Sequence, residues 1–166
     1  ALGDQALSSG SLSGANNTAV GTIALCANTT GASNTAVGSN SLANNTTAAD
    51  NVAMGVSALG TNTTGAGNTA IGRSSMVANT SGCCNTALGR NSLLLNTIGC
   101  QNVGIGAAAL DANTEGNFNT TIGYASLSAN VSGDRNTALG YASGNNLTSG
   151  TNNTILGWNA QASAPD

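Results

Sequence analysis

The chain has 166 residues, of which 40% are apolar, 5% charged and 2% aromatic, with a formal net charge of −3. Asn (25), Thr (21), Ser (18) and Gly (23) make up 87 of them, which excludes a core built mainly from large side chains. The low charge excludes charge-driven disorder, and three Arg without Lys or His exclude the broad basic surface that nucleic acid requires. No apolar run approaches the ~20 residues of a membrane span, so no membrane insertion is expected.

A period of 17 organises the sequence from one end to the other. Asn recurs at 17, 34, 51, 68, 85, 102, 119, 136 and 153, and Gly follows four residues after each. Counting from that Asn as position 1, position 4 is always aliphatic, from Val20 to Leu156. Position 9 is Leu or Met from Leu25 to Leu127 and becomes Gly144. Position 12 is Asn from Asn28 to Asn130, position 13 is Thr in seven of eight repeats, and position 15 is Gly in seven of eight. The chain reads as a single domain, 1–166. Residues 1–16 are an irregular first coil, 17–152 hold eight regular repeats, and 153–166 are a partial last coil.

Seventeen residues with two glycines are too few for the helix pair of a helical solenoid and shorter than a leucine-rich repeat. Two short strands and two turns do fit. The expectation is an all-β β-solenoid (β-roll) of about nine coils, one coil per repeat, stacked ~4.8 Å apart. Positions 5 and 15 are the corners, where glycine supplies positive φ or a close backbone approach. The Asn columns at 1 and 12 are expected to form hydrogen-bonded ladders. The aliphatic column at 4 and the Leu column at 9 are expected to form the interior, with small residues at 8 between them. Neither end carries a capping segment, which predicts a longer parent rod or rods that meet end to end.

The repeat from Asn34 to Asp50, NTAVGSNSLANNTTAAD, resembles the repeats of bacterial and phage fibre proteins, including tail-fibre shafts. Asn51-Val52-Ala53-Met54-Gly55 and Asn102-Val103-Gly104-Ile105-Gly106 are similar, more distantly, to the Ser-Val-Ala-Ile-Gly core of trimeric autotransporter adhesin heads. The likeness spans residues 15–157. It implies a trimer, surface display and adhesion, although Thr usually stands where that core has its first apolar residue.

Three columns are candidate contact sites. Position 6 runs through Arg73 and Arg90 to Tyr124, Tyr141 and Trp158. Stacked aromatics there suit sugar rings or a seam between subunits, and the seam is the favoured reading. Val77, Leu94 and Leu95 at positions 10 and 11 form an apolar association patch if they are exposed. The Thr column at 13, with Thr or Ser often at 14, has the regularity of an ice-binding array, interrupted by Ile98 and Glu115. Asn-x-Thr and Asn-x-Ser triplets at Asn28, Asn45, Asn62, Asn79 and Asn130 read as glycan acceptors or as the inward Asn column. Their shared period favours the column.

No catalytic residue, cofactor or metal ligand set is expected. There is no His, and Asp4, Asp50, Asp111, Glu115, Asp134 and Asp166 never align in adjacent coils. Gly104-Ile105-Gly106 follows the repeat period and is not a nucleotide loop. Cys83 and Cys100 both occupy position 16 of consecutive coils, ~4.8 Å apart, a spacing that suits a disulfide. Cys84 and Cys26 have no thiol in their columns. Reduced thiols throughout are the alternative. The expected function is a structural extracellular fibre on a cell surface or virion, with adhesion as a further role. Its partners would be copies of itself, as a trimer or an end-to-end filament, and surface glycan. Ice binding and glycan binding are the alternatives.

Overall fold

The computed structural model describes residues 1–9 and 13–162. Nine three-residue strands carry the fold: β1 (Thr18–Val20), β2 (Thr35–Val37), β3 (Val52–Met54), β4 (Thr69–Ile71), β5 (Thr86–Leu88), β6 (Val103–Ile105), β7 (Thr120–Ile122), β8 (Thr137–Leu139) and β9 (Thr154–Leu156). They pair in chain order into one parallel sheet, each residue opposite the one 17 later, as in Thr18 with Thr35. A bridge between Leu2 and Val20 joins the first coil to this sheet. The chain is therefore a β-solenoid with one coil per repeat, and the described residues contain no helix.

Each coil holds one strand, not the two expected. Elsewhere the backbone still bonds from coil to coil, but its direction alternates. The N–H of Leu25 donates forward to Ser41 O (3.0 Å), whereas that of Asn40 donates back to Thr22 O (2.9 Å). Positions 7, 9 and 17 explain this, because they lie at left-handed φ and are not glycine except at Gly67 and Gly144. Ile23 has φ 62°, Leu25 53° and Ser33 57°, and later coils repeat the values. Left-handed residues placed among ordinary ones prevent an extended strand. Such backbone is costly for branched side chains and persists where surrounding bonds over-determine it.

The two glycine corners differ in cause. Position 5 has both expected features: Gly72 has φ 134°, and a Cβ on it would lie 2.5 Å from the Gly89 carbonyl oxygen. At position 15 the requirement is space alone. A Cβ on Gly82 would collide with Asn79 Oδ1 and would lie 2.5 Å from Gly99 O.

The interior is half apolar and half amide. Leu25, Leu42, Leu59, Met76, Leu93, Leu110 and Leu127 at position 9 are fully buried, with Ala or Ser at position 8 beside them. Facing them is position 3, occupied by Ala19, Ala36, Ala53, Ala70, Ala87 and Ala138. Position 4, expected inside, turns outward: Met54, Leu88, Ile122, Leu139 and Leu156 are exposed, and Val20, Val37, Ile71 and Ile105 half-buried. With position 3 facing in, strand alternation turns positions 2 and 4 outward. A coil this thin holds one large column, and Leu at position 9 already fills it. An acidic substitution at Ile71 or Ile105 therefore meets water, not an apolar interior.

The Asn columns form the other half. Asn79 Nδ2 donates to Asn62 Oδ1 (2.7 Å) in the preceding coil, and its Oδ1 accepts from Asn96 Nδ2 (2.9 Å). In column 1 both the backbone N–H and Nδ2 of Asn102 donate to Asn85 Oδ1 (2.9 and 3.2 Å). The columns meet at the position-15 carbonyl: Gly99 O accepts from Asn85 Nδ2 (2.8 Å) and Asn96 Nδ2 (3.0 Å). Buried amides satisfied on both sides give a coil of few large apolar groups a second set of interior contacts.

Candidate interaction surfaces

The strands present one long face to solvent, built from the residues on either side of the buried position 3. Position 2 supplies Thr in seven coils and Val52 and Val103 in the others. Position 4 supplies an unbroken aliphatic column over nine coils, with Leu88 45% and Leu156 61% exposed. Sheet pairing holds these side chains in register, so the stripe runs along the rod. Size alone hides this face from sequence reasoning, because large aliphatic residues are ordinarily assigned to the core. The signal that finds it is the Ala column beside it, since neighbours on a strand point opposite ways.

Position 6 flanks that face after the Gly corner. Tyr124 and Tyr141 stack with ring centroids 5.3 Å apart and planes within 13°, and Tyr141 stacks on Trp158 at 6.1 Å and 15°. Stacking covers both faces of Tyr141 but one face each of Tyr124 and Trp158, and Trp158 is 76% exposed. Arg73 and Arg90 are exposed in the same column, three and two coils before Tyr124 respectively. Positions 10 and 11 divide the expected patch: Leu95 is 48% exposed, whereas Val77 and Leu94 are half-buried. Val77 lines a shallow groove of about 340 Å³ with Ile23, Cys26, Ala43 and Thr61.

The Thr column at 13 is committed to the fold. Thr80 Oγ1 donates to Thr97 O (3.1 Å) and Thr97 Oγ1 to Thr114 O (2.9 Å), and the column repeats this bond from coil to coil. The triplet residues Asn28, Asn45, Asn62, Asn79 and Asn130 are fully buried with their Nδ2 groups bonded inside the rod. A contact that sequence reasoning missed sits at position 17, where Arg135 lies over the Phe118 ring at 5.5 Å. The period itself places these two on adjacent coils.

At position 16 the Sγ atoms of Cys83 and Cys100 lie 2.8 Å apart. The hydrogen bond that the Cys83 thiol donates to Cys100, burial and the neighbouring thiols push Cys83 up to about 12. Cys84 is exposed, and Cys26 Sγ donates to Ala43 O (3.3 Å). Among the described residues no three His, Cys, Asp or Glu side chains cluster as a metal site would require. No protein-family model, curated protein or solved structure matches this chain.

Proposed function

We propose that the chain is a structural rod that associates side by side with copies of itself, as a trimer or larger bundle, to form an extracellular fibre. The observation that carries this reading is the unbroken aliphatic column at position 4, turned outward and exposed in five coils and half-buried in four, beside a column that is Thr in seven coils. Contiguous apolar surface of this length marks a contact. A second copy is the natural occupant, because the face repeats every coil and therefore matches itself at each step along the rod. The eight steps of ~4.8 Å between nine strands make the face roughly 38 Å long. The likeness of the repeat to fibre proteins supports display on a cell surface or virion, with adhesion as a further role.

Light scattering on the wild type and on an Ile71→Lys, Leu88→Lys, Ile105→Lys variant tests the reading. The wild type is expected to have the mass of an oligomer. The variant is expected to be a monomer with an unchanged circular dichroism spectrum, since these side chains face away from the core. A monomeric wild type at tens of micromolar overturns the proposal. Thermal hysteresis in that monomer would favour ice binding, and glycan capture lost on Tyr141→Ala would favour glycan binding.

A further inference from the structure

Cys83 and Cys100 lie at position 16, outside the strand residues that carry the proposed association face. They are the next-to-last residues of the coils that begin at Asn68 and Asn85. Earlier coils place Ala32, Ala49 and Ala66 in this column, and the next two place Asn117 and Asp134 there. From Cys100 onward the column has one geometry. Each side chain turns back along the rod to accept the backbone N–H of the coil before it. Asp134 Oδ1 accepts from Asn117 N (2.7 Å), Asn117 Oδ1 from Cys100 N (2.8 Å), and Cys100 Sγ from Cys83 N (3.0 Å). That bond aims Cys100 Sγ at Cys83 and brings the two sulfurs to 2.8 Å. Stacked coils set the Cα atoms ~4.8 Å apart, within the range that a disulfide bridges.

We propose that Cys83 and Cys100 form a reversible disulfide that fastens these two coils together, with Cys84 left outside the bond. Cys84 is next in sequence, but its backbone is left-handed (φ 57°), its side chain is exposed, and its column neighbours are Gly67 and Gln101. A bond to Cys83 would require a strained ring across one peptide.

The oxidant is a low-molecular-weight disulfide. Cys100, as thiolate, attacks one sulfur and expels one thiolate, leaving a mixed disulfide on Cys100. Cys83 then loses its proton, attacks Cys100 Sγ and expels the second thiolate. Two protein thiols are oxidised, one external disulfide is reduced to two thiols, and the two protons pass to the thiolates released. The order follows from the hydrogen bond between the pair. While Cys100 is free, that bond is the largest cause holding Cys83 protonated. Once Cys100 is in the mixed disulfide, the bond is gone and Cys83 is released to attack.

Incubating the folded protein with oxidised glutathione, followed by thiol titration and peptide mapping without reduction, tests the pairing. Free thiols are expected to fall from four to two, with one cross-link joining the peptides of Cys83 and Cys100 and a rise in Tm. Cys84→Ser is expected to keep the link. Cys100→Ser is expected to abolish it and the Tm rise while folding normally, because the hydroxyl oxygen still accepts the Cys83 N–H. A Cys83–Cys84 link, glutathione that stays attached to Cys83 or Cys100, or four unreacted thiols would each overturn the proposal.

Discussion

The coils from Asn34 to Asn130 and the stretch from Asn136 to Ala162 share one backbone path but enclose different interiors. In the earlier coils Leu or Met at position 9 faces Ala, Gly or Thr at position 3, and Asn fills position 12. In the later stretch position 9 is Gly144, position 12 is Leu147, and Ile155 replaces Ala at position 3 of the next coil. Yet β8 and β9 pair in the same register as every other pair of strands. A Cβ on Gly144 would lie 2.7 Å from Leu127 Cδ1 and 2.8 Å from Ile155 Cδ1, so Ile155 occupies space that a Leu fills elsewhere. The Asn ladder also ends cleanly: Asn130 Oδ1, with no Asn in the following coil, accepts the backbone N–H of Gly133 (3.1 Å). The difference teaches that a coil needs a filled volume and satisfied amides, and that more than one set of side chains provides both.

Copying the late solution into the earlier coils should fail most severely at the ladder. Asn79→Leu, which imitates Leu147, leaves Asn62 Oδ1 without its donor and takes an acceptor from Asn96. Buried polar groups so stranded cost ~1–3 kcal/mol each, so a loss of about 3 kcal/mol is expected in urea unfolding. An unchanged midpoint would mean that the Asn column is ornamental.

Next in size is a pair of changes that exchange volume. Ile155→Ala opens a cavity and should cost ~2–3 kcal/mol, and Gly144→Leu overfills the same space and should cost ~1–3 kcal/mol. Together they rebuild the interior of the earlier coils. The double variant should recover more than 1 kcal/mol relative to the sum of the single losses in a double-mutant cycle. Strict additivity would separate the two sites.

The smallest effect concerns position 10, Asp111 in an earlier coil and Asn145 in the last full one. Burial raises the Asp111 carboxyl above its ordinary 3.8, against opposing backbone hydrogen bonds. The folded state therefore favours the protonated acid. That stability is fully present below about pH 3.8 and is lost as pH rises through the elevated folded value. Asp111→Asn should flatten the dependence of the urea midpoint on pH across this window, and parallel curves for the two proteins would contradict it.

The period, the corner glycines, the Leu column and both Asn ladders were legible in the sequence because stacking requires the same residue in every coil. The aliphatic column at position 4 was assigned inward because a recurring small residue such as Ala70 carries no sign of which way it points, and the larger Ile71 or Leu88 beside it drew the assignment. The left-handed backbone at Ile23 and Leu25 was hidden because glycine, its usual marker, is absent there. The aromatic stack and the Cys83–Cys100 approach follow directly from the period, whereas the outward aliphatic face required the strand's alternation to be resolved.

Register of 17 from β1 to β9 also makes this rod a ruler with a fixed graduation. Each coil bonds only to the coils before and after it, so removing residues 68–84 would return every column to the same residue class at the new junction. The rod would shorten by ~4.8 Å and keep its cross-section. Length in such a molecule changes in whole steps, one duplicated or deleted coil at a time, while the lateral face stays the same.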